Sequence, residues 1–218
     1  MAGVKDASDV SIGASGRAVQ KSPQQKRVRK PTVANPPIVI MTIGHSTHPL
    51  EEFLGILQAH SVTFLADIRT LPRSRHNPQF NKELLPNSLA AIKIGYEHFA
   101  GLGGLRHARR DSPNTGWRNT GFRGYADYMQ TPGFVSNVEK LIEKARTMYL
   151  AVMCAETVPW RCHRTLLADA LSIRGVKVAH IMTATSAKDH TITPWAKVSG
   201  TAITYPPETL PINFKSED

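Results

Sequence analysis

The stretch MCAETVPWRCHR, residues 153–164, holds two cysteines, a glutamate, a histidine and two arginines within twelve positions. Thiols, imidazoles and carboxylates attack substrates or move protons, and guanidinium groups grip anions. The preceding run, YLAVMCAE, is apolar like a buried strand, and RTLLADALSIRG after it spaces its apolar residues like a helix. Cys162, His163 and Arg164 are therefore expected in the first turn of that helix. Unpaired N–H groups and the positive dipole end there bind anions and lower a thiol's pKa. Arg161 and Arg164 add charge with bidentate geometry for phosphate or carboxylate. Cys154 ends the strand, either as a nucleophile or as a small buried apolar side chain. Phosphatase and rhodanese loops place an arginine after five intervening residues, whereas position 160 is Trp and Arg161 comes one residue late. Glu156 offers a general acid or base, or a partner for a ribose hydroxyl.

Other short stretches carry similar groups. In GHS, Gly44 permits close backbone approach, and His45 and Ser46 offer a base and a hydroxyl. In DIRTLPRSR, Asp67 and Arg69 alternate along an expected strand and share one side of it. They form a structural ion pair or, with Arg75 and Arg164, part of a positive pocket. Gly103 and Gly104 in LGG offer backbone N–H groups to a phosphate. Tyr125 in GFRGYADYM stacks on a base or packs at a helix start, and His180 stands near the end of a last apolar run. The catalytic candidates are thus Cys154, Glu156, His45 and Asp67. The anion-binding candidates are Ser46, Arg69, Arg75, Gly103, Gly104, Tyr125, Arg161, Cys162, His163, Arg164 and His180. No CxxC or HExxH spacing is present, and adjacent Cys162 and His163 are poorly disposed to share one ion. No cofactor is expected, and a divalent metal is left open.

The elements that must position these groups alternate along the chain. IVIMTIG (38–44), VTFLADIR (62–69), YEHFAGLGG, YLAVMCAE and KVAHIM (177–182) read as strands. Between them, LEEFLGILQAH, KELLPNSLAAIKIG, TPGFVSNVEKLIEKARTM and RTLLADALSIRG read as helices, with Thr47 expected to cap the first. Residues 104–121 have little periodicity and read as a long loop. Strands separated by helices imply an α/β fold: one Rossmann-like, three-layer domain with a mostly parallel sheet of about five strands and helices on both faces. Ligands in such sheets gather at the carboxyl ends of the strands, and the polar stretches follow the apolar runs at that rim.

The chain has 218 residues and a formal net charge of +10. Residues 1–37 carry seven Lys/Arg against two Asp, which is +5 of that excess, in a Ser-, Gln- and Pro-rich composition. This segment is expected to be a flexible basic arm, either one that strengthens nucleic-acid binding without sequence specificity or a solvated extension. Residues 38–183 are the expected α/β domain and 184–218 an irregular, Pro-containing C-terminal extension with one short strand expected at GTAITY. No apolar run reaches membrane-spanning length, and two cysteines do not make a disulfide scaffold, so a cytoplasmic protein with reduced thiols is expected.

Taken together, TIGHS, DIRTLPRSR, LGGLR, GFRGYADYM, MCAETVPWRCHR and VAHI resemble the DUF488 family of bacterial and archaeal proteins, in the family's order. The resemblance implies an α/β domain with an active site around these motifs, and some members carry a DNA-repair label. The residues themselves, acid/base-capable groups concentrated beside arginines, give the expected reading: a hydrolase or transferase acting on a phosphorylated, nucleotide-like or nucleic-acid substrate. The alternative is a non-catalytic nucleotide or nucleic-acid binding module using the same pocket. The expected partner is an anionic small molecule or nucleotide, with nucleic acid through the basic arm and no membrane.

Overall fold

The structure, a computed structural model, describes residues 37–207. Apart from Pro37, the expected basic arm lies outside the described residues, as do 208–218. The central sheet has six strands in the order β3-β2-β4-β1-β5-β6. These are β1 (Val39–Gly44), β2 (Phe64–Asp67), β3 (Gly95–His98), β4 (Leu150–Cys154), β5 (Lys177–Thr183) and β6 (Ser186–Asp189). The first five run parallel, and β6 is antiparallel to β5.

Alternation along β4 shows why both faces are covered. Leu150, Val152 and Cys154 enter one core cluster, while Ala151 and Met153 enter the other. The second cluster lies under α1 (Leu50–Ala59) and α2 (Leu85–Ala91), through Phe53, Leu57, Leu85 and Leu89. The first lies under α3 (Thr120–Tyr128), α4 (Pro132–Ala145) and α5 (Arg164–Ser172), through Tyr125, Phe134, Leu141 and Leu166. This is the expected three-layer α/β architecture. Among the described residues no helix is long and apolar enough to cross a membrane.

Strand order also explains where a ligand would sit. From β1 the chain steps outward through β2 to β3, with α1 and α2 on one face. It then returns to β4, between β2 and β1, and passes on to β5 with α3, α4 and α5 on the other face. Neighbouring β1 and β4 therefore send their following helices to opposite faces, which opens a crevice outside their carboxyl ends. Gly44 and Cys154 are register partners at those ends. Pairing continues past the strands, as His45 N donates to Cys154 O and Ser46 N to Ala155 O, both at 2.9 Å.

Two local expectations change. Thr47 does not cap α1: Pro49 holds the cap position, with no side-chain cap bond. Within KELLPNSLAAIKIG, Pro86 occupies the first turn of α2, and the helix begins only at Leu85. Within the expected irregular extension, β6 lengthens the sheet, and β7 (Lys197–Ser199) pairs with β8 (Ala202–Thr204). β8 falls within GTAITY, where a short strand is expected, whereas every residue of β6 and β7 is exposed, so those two lack the apolar alternation that marks a strand. Tyr205 anchors this segment: it is fully buried, and its hydroxyl donates to Asp169 Oδ2 at 2.9 Å.

Candidate active site

Cys154 and Cys162 meet because the chain turns back on itself. After β4 it runs through a 3-10 turn at Pro159–Arg161, and α5 starts only at Arg164. Cys162 is extended (φ −130°, ψ 147°) and His163, the N-cap residue, is already helical (φ −57°, ψ −12°). Cys162 and His163 thus precede the helix rather than lying in its first turn. That change of backbone conformation between neighbours brings both side chains to one place. His163 Nδ1 is 3.6 Å from Cys162 Sγ and 4.0 Å from Cys154 Sγ. The three donor atoms all lie within 4.8 Å of one another.

Packing holds the imidazole there. A Cβ on Gly104 would come within 2.3 Å of His163 Nδ1, so only glycine admits the ring. Tyr125 covers another side, with ring centroids 4.9 Å apart. His163 Nε2 is buried and has no hydrogen-bond partner among the described residues. The two thiols titrate as a pair. A hydrogen bond from Cys154 holds the Cys162 thiol well below its ordinary pKa, helped by His163 and Arg164, and the same sharing with burial pushes Cys154 up. The Arg164 backbone N–H points at Cys162 Sγ from 3.5 Å.

Several residues expected to act on a ligand instead build the frame. Asp67 is fully buried and accepts from Arg69 N, Nε and Nη2 at 3.0, 2.9 and 2.6 Å, and from the Tyr96 hydroxyl at 2.8 Å. Arg69 also donates to Phe80 O and to His45 Nε2. Because His45 Nδ1 donates to Ser46 O, the ring is neutral with its lone pair already engaged. Burial and the Arg69 guanidinium lower its pKa to about 4, and the ring stacks on Phe80 at 4.3 Å. His45 is therefore not a free base, and Asp67 and Arg69 form the structural ion pair. Arg164, 1 % exposed, donates to the carbonyls of Glu156 and Thr157. Gly44 makes that crossing possible: a Cβ there would lie 1.8 Å from Glu156 O.

Two adjoining cavities form the cleft over this frame. One, of about 360 Å³, is lined by His45, Ser46, Thr47, Arg73, Ser74 and Glu156 among others. The second, of about 310 Å³, has Cys154, Cys162 and His163 in its wall, with Arg161, Asn119 and Phe122 around them. Arg69, Leu71, Ala155 and Glu156 border both. Glu156 and Arg161 are exposed, and Ser46 holds a left-handed φ of 47° at the rim.

Other candidates fall away from the cleft. Arg75 is exposed and lines neither cavity, and Arg73 from the same run takes its place. Gly103 N–H donates to Ala100 O. The Tyr125 ring is wholly buried, with its hydroxyl donating to Leu102 O at 3.1 Å, so it packs rather than stacks on a base. His180 belongs to a separate chain: Thr42 Oγ1 to its Nδ1 at 2.8 Å, its Nε2 to His190 Nδ1 at 3.0 Å, and His190 Nε2 to Asp169 at 2.8 Å. Sequence reasoning places Arg73 and Arg75 together in one basic run without distinguishing them, and it missed Asn119, which reads as a loop residue until α3 places it.

Searches of curated proteins and of solved structures found no match. The family described as a domain of unknown function, DUF488, matches residues 49–171. That span covers more than half of the chain and contains Asp67, Arg69, Gly104, both cysteines, His163 and Arg164. The match takes in β2, β4 and the turn into α5, while β1 and the loop carrying His45 and Ser46 precede it; the chain belongs to the DUF488 family.

Proposed function

We propose that the protein is an enzyme, a hydrolase or transferase, that takes a phosphorylated, nucleotide-like or nucleic-acid substrate in the cleft outside β1 and β4. The observation that carries this reading is the Cys154–Cys162–His163 cluster in the wall of a cavity that also presents Arg161 and Glu156. Arg161 and Arg73 are exposed and make no side-chain hydrogen bond or ion pair among the described residues, so their charge is available to an anion. Glu156 stands between the cavities, within reach of either, as the acid or base. Two free cysteines suit a reducing, cytoplasmic setting. The locking of His45, Asp67 and Arg69 into the frame favours the second reading, a binding module without turnover.

The test is a thermal-shift screen against nucleotides, sugar phosphates and short single- and double-stranded DNA and RNA. A ligand at a hundredfold excess over its dissociation constant adds about 2.7 kcal/mol, which raises the melting temperature by about 5–10 °C in a domain of this size. Arg161→Ala and Arg73→Ala are expected to remove that shift. Arg164→Ala is unsuitable because it strips a buried bond to two loop carbonyls. Conversion of the hit by the native protein and not by Cys162→Ser supports the enzyme; binding without conversion supports the module. No shift with any anion in folded protein overturns both readings.

A further inference from the structure

We propose that Cys154, Cys162 and His163 bind one zinc(II) ion whose fourth coordination position faces the cleft. The proposal rests on reading this cluster as the reactive centre, but its test needs no substrate. Zinc at about 2.3 Å from sulfur and about 2.0 Å from nitrogen in a tetrahedron places its S and N donors about 3.5 Å apart. The distances from His163 Nδ1 to the two sulfurs, 3.6 and 4.0 Å, lie within about half an ångström of that requirement. Adjacent residues rarely share an ion because neighbouring side chains usually diverge. Here the switch from extended Cys162 to helical His163 removes the obstacle.

The histidine is held in place before any ion arrives. Gly104 and Tyr125 confine the ring, its Nδ1 reaches only sulfur, and its Nε2 has no partner among the described residues. Sulfur is a weak hydrogen-bond acceptor, so an imidazole desolvated against two thiols is poorly compensated. A metal–nitrogen bond supplies that compensation. The donor set suits zinc: two thiolates and a neutral imidazole are soft, and the thiolates balance the charge of a divalent ion. Arg164 is engaged with the Glu156 and Thr157 carbonyls. Three protein donors beside a cavity are the pattern of a zinc site with an open position for water or a substrate oxygen.

The experiment titrates the reduced, chelator-treated full-length protein with cobalt(II), then with zinc(II). The expected result is one cobalt per chain, with thiolate-to-cobalt charge transfer and the intense visible bands of four-coordination, displaced by zinc. Cys154→Ser, Cys162→Ser and His163→Gln are each expected to weaken binding beyond the roughly 10–100-fold that loss of an outer partner costs. The wild-type titration stands even where a variant folds poorly. The proposal is overturned by no charge-transfer band in folded protein whose two thiols both react with a thiol reagent. Cobalt binding that survives all three substitutions overturns it equally. An anion-induced thermal shift without cobalt binding discards zinc and keeps the proposed function; cobalt binding without any such shift does the reverse.

Discussion

Arg69 shows how a charged side chain at the expected rim becomes part of the frame. Its guanidinium spends every nitrogen on Asp67, His45 and the Phe80 carbonyl, so the ion pair orders the end of β2 against the loop after β1. A buried pair of this kind is costly to break from one side, because the remaining charge is left without a partner. Asp67→Asn is expected to destabilise the protein by about 3–5 kcal/mol in chemical denaturation. Loss of under 1 kcal/mol would mean that the site is wet and the pair exposed. Alternation in DIR showed that Asp67 and Arg69 share a side, but not that Tyr96 and His45 would close around them. Those partners come from other elements, which local periodicity does not report.

Among the elements, β5 and the segment after it are joined by the Thr42–His180–His190–Asp169 chain. Asp169 on α5 also accepts from Thr193 N and Oγ1 and from the Tyr205 hydroxyl, so the segment after β6 is tied to the helix that follows the reactive turn. His180 faces His190, Thr42, Arg164, Asp169 and Lys188, and burial, His190 and Arg164 lower its pKa to about 4. In the unfolded chain the same imidazole titrates near 6.5. Between those values the unfolded state binds a proton that the folded state refuses, so stability falls as pH drops from about 6.5 toward 4 and is full above that window. Melting temperatures at pH 5, 6 and 7 should decline toward pH 5, and His180→Gln should flatten the decline, leaving the part due to His45. An unchanged slope in the variant would remove His180 as its source.

Over the whole molecule, half of the positive excess lies in residues 1–37. If that segment serves nucleic-acid binding, its deletion is expected to weaken association and to flatten the dependence on salt, since fewer counterions are released. Equal salt slopes for the two proteins would sink the idea. What the sequence determined by itself was the α/β class, the alternation of buried strands and helices, and the location of the reactive groups at strand ends. Those features follow from local periodicity and from the burial that a parallel sheet imposes on both faces. Tertiary structure alone decided which polar residues are free. The β1/β4 switch point brought Cys154 to His163, spent His45, Asp67 and Arg69 on one another, and sent His180 to a different network. The physical reason is that partner choice for a buried polar group depends on which distant elements pack beside it. The sheet order sets that, and no local pattern records it.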